Sequence, residues 1–258
     1  MSGAERIAGL DIGSRSIKMV IWESGQVTQR FLTPTTFEPV KEIHRLLTES
    51  RPDRIVATGH GRDLCRHRPA DCPDAEIVST IMANVLGARH LEIRTRRILD
   101  IGALETLVVS LTSGGDVYNY ELSSKCAAGT GKYLEFIATS LKIPLDELGD
   151  FALQADKRLR LESECTVFAE RDAMFLVAGG ERPQNITLAF HLSIVERTVD
   201  ILRRVGGSSP LLMVGGLAHN RCIKQLLEEQ LGEEILVPAE PDYVAALGAV
   251  LHAQAVNA

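Results

Sequence analysis

The chain has 258 residues, of which 45% are hydrophobic and 24% charged, with a formal net charge of -6. That balance argues against nucleic acid as the main partner, because such binding needs a basic face, and no apolar run reaches the roughly 18 residues of a membrane span. The opening Met1-Ser2-Gly3-Ala4-Glu5-Arg6 has no apolar signal-peptide core, so a cytoplasmic protein is expected, in which the five cysteines (Cys65, Cys72, Cys126, Cys165 and Cys222) are not structural disulfides.

Ile7 to Leu10 reads as a short apolar strand ending in Asp11-Ile12-Gly13-Ser14. Ser16 to Trp22 follows as a second strand, Ser24-Gly25 turns the chain, and Gln26 to Leu32 completes a three-stranded meander. Pro39 opens a predicted helix through Thr48, Arg54 to Thr58 is a strand, and the turn after it is glycine-rich. Met82 to His90 is predicted to be helical. Then the opening pattern returns: Ile98-Leu99-Asp100-Ile101-Gly102 repeats Gly9-Leu10-Asp11-Ile12-Gly13, with Ser113-Gly114 answering Ser24-Gly25. A spacing of about 90 residues is too long for a solenoid and points to a duplicated domain, with a first lobe at 1–95 and a second at 96–258 whose terminal helix can pack back on the first. Two unrelated hairpins that share turn chemistry are the alternative.

After the second meander the predicted helices are Gly131 to Leu141, Pro144 to Ala155, Thr166 to Ala178 and Gln184 to Val205. A strand at Leu211 to Val214 leads into Gly215-Gly216-Leu217-Ala218-His219-Asn220, and Tyr243 to Ala255 reads as a terminal helix.

Three motifs carry chemistry. An aspartate followed by glycine at a tight turn between paired strands suits phosphate and Mg²⁺: glycine lets the backbone approach the phosphate, and the carboxylate holds the cation. Two such turns, Asp11/Gly13 and Asp100/Gly102, one in each lobe, are expected to clamp a nucleotide across a cleft, with Ser14 and Lys18 beside the first. For a lone Asp-x-Gly, simple turn initiation is the better reading; the doubling favours function. Gly215-Gly216, between a strand and a helix, suits close packing of an adenosine. Finally, Cys126-Ala127-Ala128-Gly129-Thr130-Gly131 sets a thiol and glycines where a helix begins. Unpaired first-turn N–H groups there can push a thiol toward thiolate or hold an anion such as phosphate, so the stretch suits a metal cluster, a nucleotide, or both.

Taken together, these residues resemble the acetate and sugar kinase, Hsp70 and actin superfamily. Lys125-Cys126-Ala127-Ala128-Gly129-Thr130-Gly131 and Glu164-Cys165-Thr166-Val167-Phe168-Ala169-Glu170 are similar to the signatures of the 2-hydroxyacyl-CoA dehydratase activators, a family that includes ATPase subunits of benzoyl-CoA reductase. Ala57-Thr58-Gly59-His60-Gly61-Arg62 and Ala246-Leu247-Gly248-Ala249 fall in the family's order. The resemblance spans essentially the whole chain and implies an α/β, duplicated actin-like (ribonuclease H-like) ATPase fold with two lobes around a nucleotide cleft. It implies one [4Fe–4S] cluster per homodimer, held by Cys126 and Cys165 of each subunit, a number of thiolates that suits a four-iron cluster on a twofold axis. It also implies ATP/ADP and Mg²⁺, a ferredoxin or flavodoxin as electron donor, and a dehydratase or reductase component as acceptor. On this reading Asp11, Asp100 and Glu105 are the catalytic carboxylates, and Asp11 and Asp100 hold Mg²⁺. Gly13, Ser14, Lys18, Gly102, Gly129, Thr130, Gly131, Gly215, Gly216 and Asn220 contact ATP.

One departure matters. Where the activators have Asp-Ile-Gly-Gly-Gln-Asp, this chain has Asp100-Ile101-Gly102-Ala103-Leu104-Glu105. Ala103 removes backbone freedom, Leu104 removes an amide that could orient water, and Glu105 keeps a carboxylate on a longer arm. Slow or absent hydrolysis, and a heterodimer of the benzoyl-CoA reductase kind, follow as possibilities. A small-molecule kinase and a nucleotide-binding regulator are the other readings; the kinase leaves the cysteine motifs unexplained. Cys65 and Cys72 lack paired Cys-x₂-Cys zinc spacing, Cys222 reads as packing, and Arg94-Thr95-Arg96-Arg97 reads as a solvated strand edge.

Overall fold

The computed structural model describes residues 4–67, 72–123, 131–161 and 166–255, and divides into two compact units. The first comprises Met1–Arg94 with Asp242–Ala258, the second Thr95–Pro241.

In the first unit β1 (Ile7–Ile12), β2 (Ser16–Glu23) and β3 (Gln26–Pro34) form the expected antiparallel meander. Helix α1 (Pro39–Ser50) starts on Pro39, whose missing N–H is no loss in a first turn, and ends at left-handed Arg51. The chain then returns as β4 (Arg54–Thr58), parallel to β1, and β5 (Ala75–Ile77), giving the sheet order β3-β2-β1-β4-β5. Helix α2 (Thr80–Leu91) is capped by Ser79, whose hydroxyl accepts the Met82 N–H. One sheet face buries Ala8, Leu10 and Ile12 under α1; the other buries Ile7 and Val56 against the C-terminal helix α8 (Val244–Ala255).

The second unit repeats this plan. Strands β6 (Arg97–Ile101), β7 (Thr106–Leu111) and β8 (Val117–Ser123) are antiparallel, β9 (Leu211–Val214) lies parallel to β6, and β10 (Ile235–Leu236) lies outside it. The order β10-β9-β6-β7-β8 is that of the first sheet read from the other end. Between β8 and β9 run α3 (Gly131–Leu141), α4 (Leu148–Ala152), α5 (Thr166–Ala178) and the 23-residue α6 (Pro183–Val205), followed after β9 by α7 (Arg221–Leu231). Helix α6 supplies Phe190, Ile194, Val195 and Val199 to the core, with Tyr133 of α3 against Phe190 at 4.6 Å between ring centroids. Burying such a ring contributes roughly 2–3 kcal/mol.

Two expectations are corrected. The helix expected over Pro144 to Ala155 is confined to Leu148–Ala152; before it, Glu147 and Leu148 donate to the carbonyls of Pro144 and Leu145 three residues back, a tighter turn than an α-helix. Nor is the arginine run a solvated edge throughout: Arg94 is exposed, but Arg97 opens β6, the central strand of its sheet, and is buried and paired with Glu233.

Candidate functional site

The two Asp-x-Gly turns have one shape. Gly13 N–H donates to the Ser16 carbonyl at 3.0 Å, and Gly102 N–H to the Glu105 carbonyl at 2.8 Å. Each aspartate stands near the end of a strand flanked by a parallel neighbour, opposite Thr58 for Asp11 and opposite Val214 for Asp100. In each case the next residue of the neighbour is a glycine with positive φ, Gly59 at 88° and Gly215 at 77°. A Cβ on Gly59 would lie 2.5 Å from Asp11 Oδ1, and one on Gly215 would collide with Asp100 Oδ1. Glycine is required twice over, for the backbone angle and for the carboxylate beside it. Each unit thus carries a carboxylate over a bare backbone turn, the kind of cradle a Mg²⁺-bound phosphate fits.

Sequence reasoning did not see that Gly59 and Gly215 are equivalent. Along the chain Gly215-Gly216 stands as a separate element, but the identical strand orders make Thr58-Gly59 its counterpart. The signal that could have found it was a strand-glycine junction in each half.

Around the first turn, Lys18 Nζ lies 3.3 Å from Asp11 Oδ2, with each side chain 14% exposed. Gly61 N–H donates to the Ile12 carbonyl, clamping the glycine-rich loop to the turn, and Thr35 Oγ1 donates to the Gly13 carbonyl. Ser14 is exposed. Thr58 is fully buried beside Asp11, and its hydroxyl has no hydrogen-bond partner among the described residues, a polar surplus that suits a ligand-binding position.

The second turn is tied to a helix. Gly131 and Lys132, the first residues of α3, donate their N–H groups to the carbonyls of Gly102 at 2.8 Å and Ala103 at 2.9 Å. These helix-start donors are therefore committed to the turn and not open to an anion. A Cβ on Gly131 would come within 2.7 Å of Leu217 Cδ1 and 3.3 Å of the Gly102 carbonyl. Gly102, Gly131 and the turn Gly216–His219 are thereby packed together. Leu104 is 42% exposed. Gly216 is exposed, and Asn220 half-buried at the start of α7. Its Oδ1 accepts the Ile223 N–H at 3.0 Å while its Nδ2 lies 3.1 Å from His191 Nε2.

Burial holds the His191 imidazole down at about 4, against an ordinary value near 6.5. As pH falls from 6.5 toward 4, the unfolded chain takes up a proton that the folded one refuses, so His191 makes the fold lose stability on acidification and is neutral in effect above pH 7. The loss approaches about 3 kcal/mol at the acid end of that window. Urea midpoints at pH 7.5 and 5.0 should therefore differ more for the parent than for His191→Gln; equal differences would contradict it.

Of the cysteines, Cys65, Cys72 and Cys222 are buried and form no disulfide, and burial pushes the thiols of Cys65 and Cys222 up to about 12. They do not offer thiolates at neutral pH. Cys126, Cys165, Gly129 and Thr130 lie outside the described residues, among which no group of three or more His, Cys, Asp or Glu is placed to hold a metal ion. No described helix is long and apolar enough to cross a membrane.

The model of the BadF/BadG/BcrA/BcrD ATPase family matches residues 8–253. The chain is 31% identical over 254 residues to the 2-hydroxyisocaproyl-CoA dehydratase activator of Clostridioides difficile, covering 95% of this chain and 93% of that one. It is 31% identical over 264 residues to one of the subunits of benzoyl-CoA reductase from Thauera aromatica, covering 95% and 91%. The solved structure of the activator of the 2-hydroxyisocaproyl-CoA dehydratase from Clostridium difficile with bound ADPNP superposes with a TM-score of 0.85 at 29% identity, covering 96% of this chain and 94% of that one. Ethanolamine utilization protein EutJ from Carboxydothermus hydrogenoformans (TM-score 0.62, 16% identity) covers 95% of this chain and 88% of its own. A ROK family glucokinase from Streptomyces griseus (TM-score 0.59, 11% identity) covers 97% and 99%. These last two likenesses show the fold alone, the actin-like ATPase fold with its pair of five-stranded sheets.

Proposed function

The chain belongs to the BadF/BadG/BcrA/BcrD ATPase family, and from that premise we propose that it couples ATP to low-potential electron transfer. The acceptor on this reading is a 2-hydroxyacyl-CoA dehydratase or a related CoA-ester reductase component, and the donor is a ferredoxin or flavodoxin. The observation that carries the nucleotide part is the doubled cradle, a carboxylate over a left-handed glycine in each unit. A relative of the same fold binds ADPNP.

Asp11 and Asp100 are assigned to Mg²⁺, and Gly13, Ser14 and Gly102 to the phosphates. Lys18, already paired with Asp11, keeps that carboxylate oriented. Gly215, Gly216 and Asn220 are assigned to the nucleoside end. Cys126 and Cys165, which carry the two cysteine signatures similar to those of the dehydratase activators, are assigned on that likeness to a [4Fe–4S] cluster shared by two subunits. When bound, the cluster supplies a single low-potential electron, chemistry that belongs in the reducing cytoplasm of an anaerobically growing cell. The bonds from Gly131 and Lys132 to the second turn give the ATPase a lever: a turn that shifts when the terminal phosphate leaves pulls on the helix that begins just after Cys126.

Anaerobic purification tests this. A brown protein with about four irons per dimer is expected, and Cys126→Ala and Cys165→Ala should each lose the iron. A colourless parent after anaerobic reconstitution, indistinguishable from Cys126→Ala, would sink the reading. Ala103-Leu104-Glu105, together with the likeness to a benzoyl-CoA reductase component, favours a second version in which the chain pairs with a non-identical ATPase subunit. The composition of the complex isolated from its native cell separates the two.

A further inference from the structure

We propose that His191 is a positioning residue of the nucleotide site, fixing the amide of Asn220 so that one of its N–H groups is kept for the ligand. This rests on the nucleotide reading above. The argument is one of donors and acceptors. His191 is fully buried on α6, and its Nδ1 lies 2.8 Å from the Thr187 carbonyl one turn back. A carbonyl only accepts, so Nδ1 carries the proton. The ring is neutral in this buried setting, which leaves Nε2 with a lone pair. Nε2 therefore accepts from Asn220 Nδ2 at 3.1 Å, and this settles which end of the carboxamide is which.

The other end agrees independently: Oδ1 accepts the Ile223 N–H at 3.0 Å and caps α7. Gly149 closes the third side, where a Cβ would stand 2.7 Å from Asn220 Oδ1. Three bonds thus run from the α6 carbonyl through His191 and Asn220 to the first turn of α7, each pairing one donor with one acceptor.

Capping alone does not require this. Serine or aspartate caps a helix as well as asparagine, and Ser79 does so for α2. What the histidine adds is a demand for a donor at position 220. An aspartate there would turn an anionic oxygen onto the Nε2 lone pair, and would also repel a phosphate-bearing ligand. Asn220 has two amide hydrogens; His191 takes one, and the second is left on a half-buried residue that follows the Gly215-Gly216 turn.

The test uses the full chain, purified anaerobically, with Mg·ATP as the probe. His191→Phe keeps a ring but offers no acceptor, and Asn220→Ser keeps the cap but has no amide; each is expected to raise the Kd and the KM for Mg·ATP about tenfold, one ligand hydrogen bond. His191→Gln, whose Oε1 can accept from Asn220, should stay within about threefold of the parent. A merely structural role would lower the thermal midpoint and leave KM alone. Nitrogen NMR gives a readout that does not depend on nucleotide: the His191 ring should be the Nδ1–H tautomer, and Asn220→Asp should raise its titration by inviting a proton onto Nε2. An Nε2–H tautomer, or unchanged Mg·ATP binding in both His191→Phe and Asn220→Ser while the parent binds, overturns the proposal alone. A parent that binds no Mg·ATP overturns it together with the nucleotide reading.

Discussion

Gly248→Ala is expected to lower the unfolding midpoint of the first unit by roughly 10 °C, a loss of about 3 kcal/mol. Helix propensity alone argues the other way, since alanine in a helix interior is favoured over glycine by about 1 kcal/mol. Packing decides. A Cβ on Gly248 would fall inside the carbonyl group of Ala83 in α2, and one on Gly87 of α2 would fall inside the carbonyl of Val244 in α8. On the other side of α8, a Cβ on Gly9 of β1 would collide with the Ala246 carbonyl and reach Val250 Cγ2 at 2.7 Å. Helix α8 is thus pressed between a strand and a helix, and at each of these glycines the nearest atom is a backbone carbonyl that cannot yield as a side chain would. Relief would require shifting a whole element, and all three contacts would have to be remade. Gly232→Ala is the control: Gly232 has a positive φ of 68°, unlike Gly248, but no atom lies within 4 Å of its Cβ position, so only the left-handed penalty of about 1 kcal/mol applies. Thermal unfolding followed by far-ultraviolet circular dichroism measures both. A Gly248→Ala midpoint at or above that of the parent would refute the packing argument.

How much of this was legible in the sequence depends on the range of the interaction. The two meanders were readable because alternation and Asp-x-Gly turns are local, and both copies came out with the expected strands. The very short strands β5 and β10, of three and two residues, carry too little alternation to announce themselves. The run Pro144 to Ala155 has helical spacing, yet only Leu148–Ala152 is helical. Arg97 was misread because its partner Glu233 is 136 positions away, and no local pattern distinguishes a solvated arginine from one buried against a distant carboxylate. The glycine cradle failed to appear for the same reason. Gly59 reaches Asp11 across a parallel strand pair, and Gly215 reaches Asp100 only after four helices have intervened. The duplicated motif was visible as two aspartates; that each has its own glycine became visible only once the strands were paired. The cluster cysteines are the converse case, named from sequence and lying outside the described residues.

Asp11→Asn is expected to reduce Mg²⁺-dependent ATP hydrolysis at least about 100-fold while leaving the chain folded. The substitution is close to isosteric, and the turn is held by backbone bonds, Gly13 to Ser16 and Gly61 to Ile12, that do not involve the carboxylate. What is lost is a charge: an amide is a poor magnesium ligand, and removing one preorganised electrostatic contact to a phosphoryl transition state typically costs 10² to 10³ in rate. The stability cost is smaller, about 1 kcal/mol, because only the ion pair between Asp11 and Lys18 is lost, and both side chains keep some contact with solvent. Single-turnover hydrolysis with Mg²⁺ titrated from zero reads the effect, and thermal unfolding confirms the fold. Glu105→Gln supplies the comparison. If Glu105 acts only through a longer arm in an altered turn, its loss should cost no more than about tenfold, and the first turn carries the greater share of the chemistry. Parent-like hydrolysis by Asp11→Asn would remove the aspartate from the magnesium site. A loss in Glu105→Gln as large as that in Asp11→Asn would mean that the second turn, despite Ala103 and Leu104, is as competent as the first.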